Sequence, residues 1–217
     1  MAAGLDFVDL PSLSAAVHSC RRCPLGHSRT KAVPGVGPAG ARIMIVGEAP
    51  GQNEDQQGEP FVGAAGKLLD QLLSGIGLSR ADVFITNILK CRPPNNRDPL
   101  PDEIAACSDY LDRQIALIQP RVICTLGRFS MAKFFPPGSM RALHGRTTRH
   151  GAVTCYALYH PAAALRDPRL KDVFAEDFRR IPEVLAQAEA AATKAAAIDD
   201  GAPAADAGPT PEQLSLF

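Results

Sequence analysis

Four short apolar runs rich in β-branched residues punctuate the chain: Arg42–Gly47 (RIMIVG), Val83–Ile88 (VFITNI), Arg121–Leu126 (RVICTL) and Val153–Leu158 (VTCYAL). Each is bounded by Gly, Pro or polar residues and is predicted to be a buried strand. Helical patterns lie between them. Lys67–Ile76 places Leu68, Leu69, Leu72, Leu73 and Ile76 at a 3.6-residue period, and Pro101–Ile118 opens on Pro-Asp-Glu, a helix-start signature. Phe129–Phe135 and Leu170–Ile181 are shorter candidates. Strands alternating with helices predict an α/β fold, a mostly parallel central sheet covered on both faces.

That architecture places a ligand beyond the carboxyl ends of the strands. The segments there are Gly47–Gly51 (GEAPG), Asn87 through Arg97, Leu126-Gly127-Arg128 and Tyr159-His160-Pro161. They are also the most polar and Gly/Pro-punctuated stretches of the chain, and three of the four strands deliver a candidate site residue to one rim. After about residue 186 the pattern gives way to AQAEAAATK and then DDGAPAADAGPTP. Alanine keeps helix possible up to Ile198, but 186–212 reads as a disordered linker, with the folded domain spanning 1–185.

Of the 217 residues 46% are hydrophobic, enough for one domain with a real core. No apolar run approaches the roughly 20 residues of a membrane span, and the N-terminus lacks a basic signal region, so a cytoplasmic monomer is expected. The formal net charge is zero. That average conceals an acidic tail: residues 183–217 hold Glu183, Glu189, Asp199, Asp200, Asp206 and Glu212 against Lys194 alone. The remaining 1–182 has 22 basic and 17 acidic residues, a net of +5, which permits nucleic-acid binding without demanding it.

Six cysteines in such a chain are not expected to form structural disulfides. Cys124 and Cys155 lie inside strand-like runs and read as core residues. Cys20 and Cys23 form a C-x2-C pair, Cys91 follows after 67 intervening residues, and Cys107 after a further 15. Four thiolates suit either zinc or a [4Fe–4S] cluster, and the spacing does not choose between them.

Three runs, in this order and spacing together with the cysteines, closely resemble the family 4 uracil-DNA glycosylases: GEAPGQNEDQQGEPFVGAAGKLLDQLL, TNILKCRPPNNRDP and YHPAAALR. The resemblance spans about residues 18–182. It implies a three-layer uracil-DNA glycosylase fold, removal of uracil from DNA to start base excision repair, and a structural [4Fe–4S] cluster on Cys20, Cys23, Cys91 and Cys107. Phe61 matches the family's residue that stacks on uracil. Asn87, which alone would read as a strand-end turn residue, would donate to uracil O4 and accept from N3–H. Cytosine reverses that donor and acceptor order, so it would leave buried polar groups unpaired.

His160 matches the family's HPA motif and would donate to uracil O2 as charge builds on the departing base. Backbone N–H groups around Gly47, Glu48 and Ala49 would add donors. Ala49 stands where the family 1 enzymes carry a water-orienting Asp. Glu48, Glu54 and Asn96 are therefore the candidates to position water or to crowd C5 against thymine. The loop after Cys91 lacks the histidine of a related branch that becomes covalently trapped on DNA, so turnover is expected. Extruding the nucleotide requires a grip on the duplex. Arg92, Arg97, Arg128, His144, Arg146 and Arg149 are candidates for phosphate contacts, and Leu143 for a wedge.

The last five residues, Gln213-Leu214-Ser215-Leu216-Phe217, cluster apolar side chains after a linker that has almost none. QLSLF resembles the motif by which bacterial DNA polymerases and repair enzymes bind the replication sliding clamp. That implies a nucleoid-associated bacterial enzyme, with Gln213 at the rim of the clamp pocket, Leu216 and Phe217 in its apolar floor, and Leu214 also among the clamp-binding residues. Two other readings share these residues: a non-catalytic uracil-DNA-binding module, and a metal-stabilised nucleotide-binding or redox protein. The absence of G-x-G-x-x-G and of a P-loop lysine lowers the last.

Overall fold

The computed structural model describes residues 7–199. Its centre is a five-stranded sheet of β1 (Ile43–Gly47), β2 (Val83–Asn87), β3 (Val122–Leu126), β4 (Thr147–His150) and β5 (Val153–Leu158), in the order β2-β1-β3-β5-β4. The first four strands in that order run parallel, and β4 pairs antiparallel with β5 at the edge. Every residue of β1, β2 and β3 is buried, as expected for parallel strands covered on both faces.

The strand alternation sorts the core into two layers. Ile43 and Ile45 of β1 face a cluster with Leu69 and Leu73 of α4 (Ala64–Gly75), Phe174 and Phe178 of α9 (Arg169–Arg179), and Val184 and Ala188 of α10 (Ile181–Asp199). Met44 and Val46 face the other way, toward Leu111 and Ile118 of α5 (Pro101–Ile118) and Met131 and Phe134 of α6 (Arg128–Phe134). A third cluster lies apart, where Leu13 and Val17 of α1 (Leu10–Ser19) and Leu25 of α2 (Leu25–Ser28) meet Leu89, Cys91, Cys107 and Tyr110. Short helices α3 (Gln52–Gln57), α7 (Met140–Leu143) and α8 (Pro161–Arg166) complete the rim.

Helix α5 occupies the range its sequence predicts, because its ends are chemically marked. Pro101 needs no partner for its missing N–H, and the Glu103 carboxylate reaches back to the Leu100 N–H at 2.9 Å. Gln119 closes the helix in the left-handed region with φ 50°.

The short helix predicted over Leu170–Ile181 is α9, Arg169–Arg179, and α10 starts directly after it at Ile181. One expectation is corrected: α10 continues through Asp199, past residue 186, where the linker was expected to begin, as the alanine-rich run allowed, and its buried Val184 and Ala188 give that run a core face. Strand β4 went unpredicted, since Thr147-Thr148-Arg149-His150 carries no apolar alternation; it is held by pairing with β5 and by the His150 ring against Phe134 of α6. The rest of the expected linker, 200–212, and residues 213–217 lie outside the described residues.

Candidate active site and cysteine cluster

The carboxyl ends of β1, β2, β3 and β5 open on a cleft of about 650 Å³. It is lined by Glu48, Ala49, Pro50, Gly51, Glu54, Phe61, Asn87, Asn96, Arg97, Asp98, Gly127, Arg128, Tyr159, His160 and Arg166, among others. The cleft lies beyond the carboxyl ends of the strands, where the strand pattern places a ligand.

Asn87 is the last residue of β2 and is 2% exposed. Its Oδ1 is the only buried side-chain nitrogen or oxygen among the described residues that has no hydrogen-bond partner. Native structures seldom leave such an acceptor empty, because desolvating it uncompensated costs about 1–3 kcal/mol. Its register partner on β1 is Gly47. A Cβ at Gly47 would lie 2.3 Å from Asn87 Oδ1 and 2.6 Å from Phe61 Cζ, so only glycine allows amide and ring to converge there.

Phe61 is buried and has φ 53°, a left-handed conformation that is costly for an aromatic residue. Its surroundings hold it there. Arg80 donates to the carbonyls of Pro60, at 2.9 Å, and of Phe61, while pairing with Asp70 at 2.6 Å. Gly66 of α4 has no side chain to strike the Phe61 carbonyl, which would be 1.6 Å from a Cβ. Glu54 is taken up by the same loop: its carboxylate accepts from the N–H groups of Gly51 (3.0 Å), Val62 (2.9 Å) and Gly63 (3.0 Å). Glu54 thus braces the Phe61 loop while also lining the cleft, where a water-positioning role was expected. Glu48 makes no side-chain hydrogen bond among the described residues, and burial, with Asp98 adding to it, holds its carboxyl above the ordinary range against Arg128 and Arg166.

His160 follows β5 and caps α8 from an extended backbone, φ −75° and ψ 135°, as Pro161 demands. Its Nδ1 accepts the Ala162 N–H at 3.1 Å. An N–H donor there leaves only one neutral tautomer, with the proton on Nε2. Burial, reinforced by Arg166 and opposed by Glu54, pushes the imidazole pKa down to about 4. The ring centroid lies 5.8 Å from that of Phe61, at an interplanar angle of 31°. The cleft thus has an aromatic wall, an unfilled amide acceptor and a neutral imidazole N–H donor.

Of the expected phosphate contacts, Arg97 and Arg128 line the cleft, paired with Glu103 and Asp98. Arg92 donates to Asn96 at 2.7 Å, in a loop where Asn95 and Asn96 both adopt positive φ. His144 instead pairs with Asp177 at 2.7 Å and lies against Tyr159, and Arg149 reaches Thr154 on the sheet edge. Leu143, the expected wedge, is partly buried against the α5–α6 layer. The sequence reading missed Arg80, Arg166 and Lys90. Arg166 stands six residues beyond His160 in the YHPAAALR run and could have been found there.

None of the six cysteines is in a disulfide. Cys124 and Cys155 are fully buried in the sheet, as expected. Cys20 ends α1, Cys23 precedes α2, Cys91 follows β2 and Cys107 lies on α5, and all four meet around the third hydrophobic cluster. Arg29 donates to Cys91 Sγ at 2.9 Å, and the Lys90 backbone N–H points at Cys107 Sγ. Among the described residues no group of three or more His, Cys, Asp or Glu converges tightly enough for a single metal ion. The four free thiols gather around this hydrophobic cluster, a donor set that suits a metal group held by four cysteines.

Comparison with known proteins agrees with this geometry. The model of the uracil DNA glycosylase superfamily matches residues 34–181. Among curated relatives, the type-4 uracil-DNA glycosylase of Sulfurisphaera tokodaii is 50% identical over 185 residues, covering 81% of this chain and 84% of the relative. That of Archaeoglobus fulgidus is 48% identical over 81% of this chain and 92% of the relative, and that of Thermotoga maritima 42% over 77% and 90%. The chain belongs to the uracil-DNA glycosylase superfamily and, within it, to the type-4 uracil-DNA glycosylases.

Proposed function

We propose that this cleft hydrolyses the N-glycosidic bond of deoxyuridine in DNA, with Asn87, His160 and Phe61 holding the extruded base. The empty Asn87 Oδ1 carries the reading. It is a buried acceptor awaiting an N–H, which uracil supplies at N3, while the carboxamide NH2 faces O4. Phe61 gives the ring an apolar face.

The C1′–N1 bond breaks and its electron pair leaves with uracil, placing charge on O2. His160, neutral with its proton on Nε2, donates to that oxygen, a bond that strengthens as charge develops. Water adds to C1′ on the sugar and loses a proton. With Glu54 engaged by three backbone N–H groups, Glu48 is the carboxylate left to orient that water.

Cys20, Cys23, Cys91 and Cys107 would hold a [4Fe–4S] cluster. Its contribution is structural, joining the segment around α1 and α2 to the loop after β2. The QLSLF segment lies outside the described residues, and the proposal that Gln213, Leu214, Leu216 and Phe217 bind a bacterial sliding clamp rests on the sequence alone. Because α10 runs to Asp199, the spacer before it is residues 200–212. A cytoplasmic, nucleoid-associated bacterial enzyme fits that partner. No helix among the described residues is long and apolar enough to cross a membrane.

Incubating the protein with a uracil-containing oligonucleotide should yield alkali-labile abasic sites. Tight binding without release would point to a recognition module, and neither binding nor release would favour the redox reading.

A further inference from the structure

Lys90 is 1% exposed and lies three residues beyond Asn87 and immediately before Cys91. Its three ammonium N–H bonds find three acceptors: Thr86 Oγ1 at 2.6 Å, the Asn87 carbonyl at 2.7 Å and Gln114 Oε1 at 2.7 Å. Gln114 Nε2 in turn donates to the Pro34 carbonyl at 2.7 Å, which also accepts from Thr86 Oγ1 at 3.0 Å. The Lys90 main chain is engaged as well. Its carbonyl accepts the Val33 N–H at 2.8 Å, and its N–H points at Cys107 Sγ.

One buried residue therefore holds the backbone carbonyl of the base-reading asparagine with its side chain and is joined through its own peptide bond to Cys91 of the cluster. Among the described residues no hydrogen bond holds Asn87 Oδ1, so the orientation of the amide rests on its backbone and on packing beside Gly47 and Phe61. A carboxamide that must choose uracil over cytosine has to be held in one orientation. That requires its backbone to be fixed.

We propose that Lys90 is a positioning residue, holding Asn87 in its uracil-reading orientation and tying that orientation to the Cys91–Cys107 side of the cysteine cluster. This inference rests on the reading of Asn87 given above. The test is Lys90→Met, which keeps the length and loses the donors, with Gln114→Leu removing one acceptor of the same network. Iron content, DNA KM, single-turnover rate and inhibition by free uracil are measured on the full chain.

In Lys90→Met, iron content and DNA KM should stay within about twofold of wild type, while inhibition by uracil weakens about tenfold or more and the single-turnover rate falls. Gln114→Leu should move the same two quantities in the same direction by less. A purely structural lysine would lower yield and iron but leave uracil inhibition intact in the folded fraction. Wild-type uracil inhibition in iron-replete Lys90→Met, or in Gln114→Leu should Lys90→Met fail to fold, would overturn the proposal. Asn87→Ala separates the two failures: if it too binds uracil normally, the pocket reading is wrong. If it loses uracil while the network variants keep it, only the role of Lys90 is wrong.

Discussion

Gly47 and Asn87 sit side by side at the ends of β1 and β2, and a methyl group on Gly47 would lie 2.3 Å from Asn87 Oδ1. The same methyl would meet the Phe61 ring at 2.6 Å. Gly47→Ala should therefore displace the amide or the ring with little effect on the sheet. Uracil release is expected to fall about 100-fold or more, the scale typical of losing one aligned donor or acceptor, while the circular dichroism spectrum is retained. Near-wild-type turnover in Gly47→Ala would show that amide and ring need not meet there.

His160 should remain neutral across the working range of the enzyme. With its pKa pushed down to about 4, the unfolded chain binds a proton near pH 6.5 that the folded chain refuses, so this group costs stability as pH falls from about 6.5 toward 4 and costs nothing above that window. Histidine-selective 15N NMR should show His160 with Nε2 protonated and Nδ1 bare from pH 8 down to about 5. Titration near pH 6.5 would contradict the buried neutral donor.

The Glu54 carboxylate accepts from the backbone N–H groups of Gly51 and of Val62 and Gly63, which directly follow Phe61. Glu54→Ala strands these donors in a half-buried loop, and a loss of about 1.5–3 kcal/mol is expected, since bonds to a charged acceptor are the stronger kind. Thermal denaturation reads the loss. If Glu54 served only to orient water, the rate would fall with the melting temperature unchanged.

Much of this was legible in the chain. The strands β1, β2, β3 and β5 and helix α5 announce themselves through apolar runs and a marked helix start, and the rule that ligands lie beyond parallel strand ends placed Asn87 and His160 on one rim. What stayed hidden depends on contacts between distant segments. Strand β4 is polar and exists through β5. Glu54 looks catalytic in sequence, and its bracing of the Phe61 loop depends on Val62 and Gly63 folding back onto it. The packing of Leu143 against the α5–α6 layer is likewise set by segments distant in sequence. A lysine in ILKC gives no sign that three acceptors will surround it.

The cysteines make a separate, visible prediction. The protein should be brown as purified, with about four irons, and Cys91→Ser should lose the colour because a lost thiolate leaves the cluster under-ligated. Cys124→Ser and Cys155→Ser lie in the sheet core and should keep it. A colourless protein bearing one zinc after anaerobic purification would rule the cluster out.

The central claim is that Asn87 reads the uracil edge through an acceptor and a donor fixed in the cleft. Asn87→Asp replaces the amide donor with a group that, protonated, complements the reversed pattern of cytosine. Single-turnover base release from matched uracil and cytosine oligonucleotides measures the effect directly. The account predicts a large loss on uracil together with measurable release of cytosine, so that the preference for uracil collapses. Unchanged discrimination, with uracil released at the wild-type rate, would contradict it.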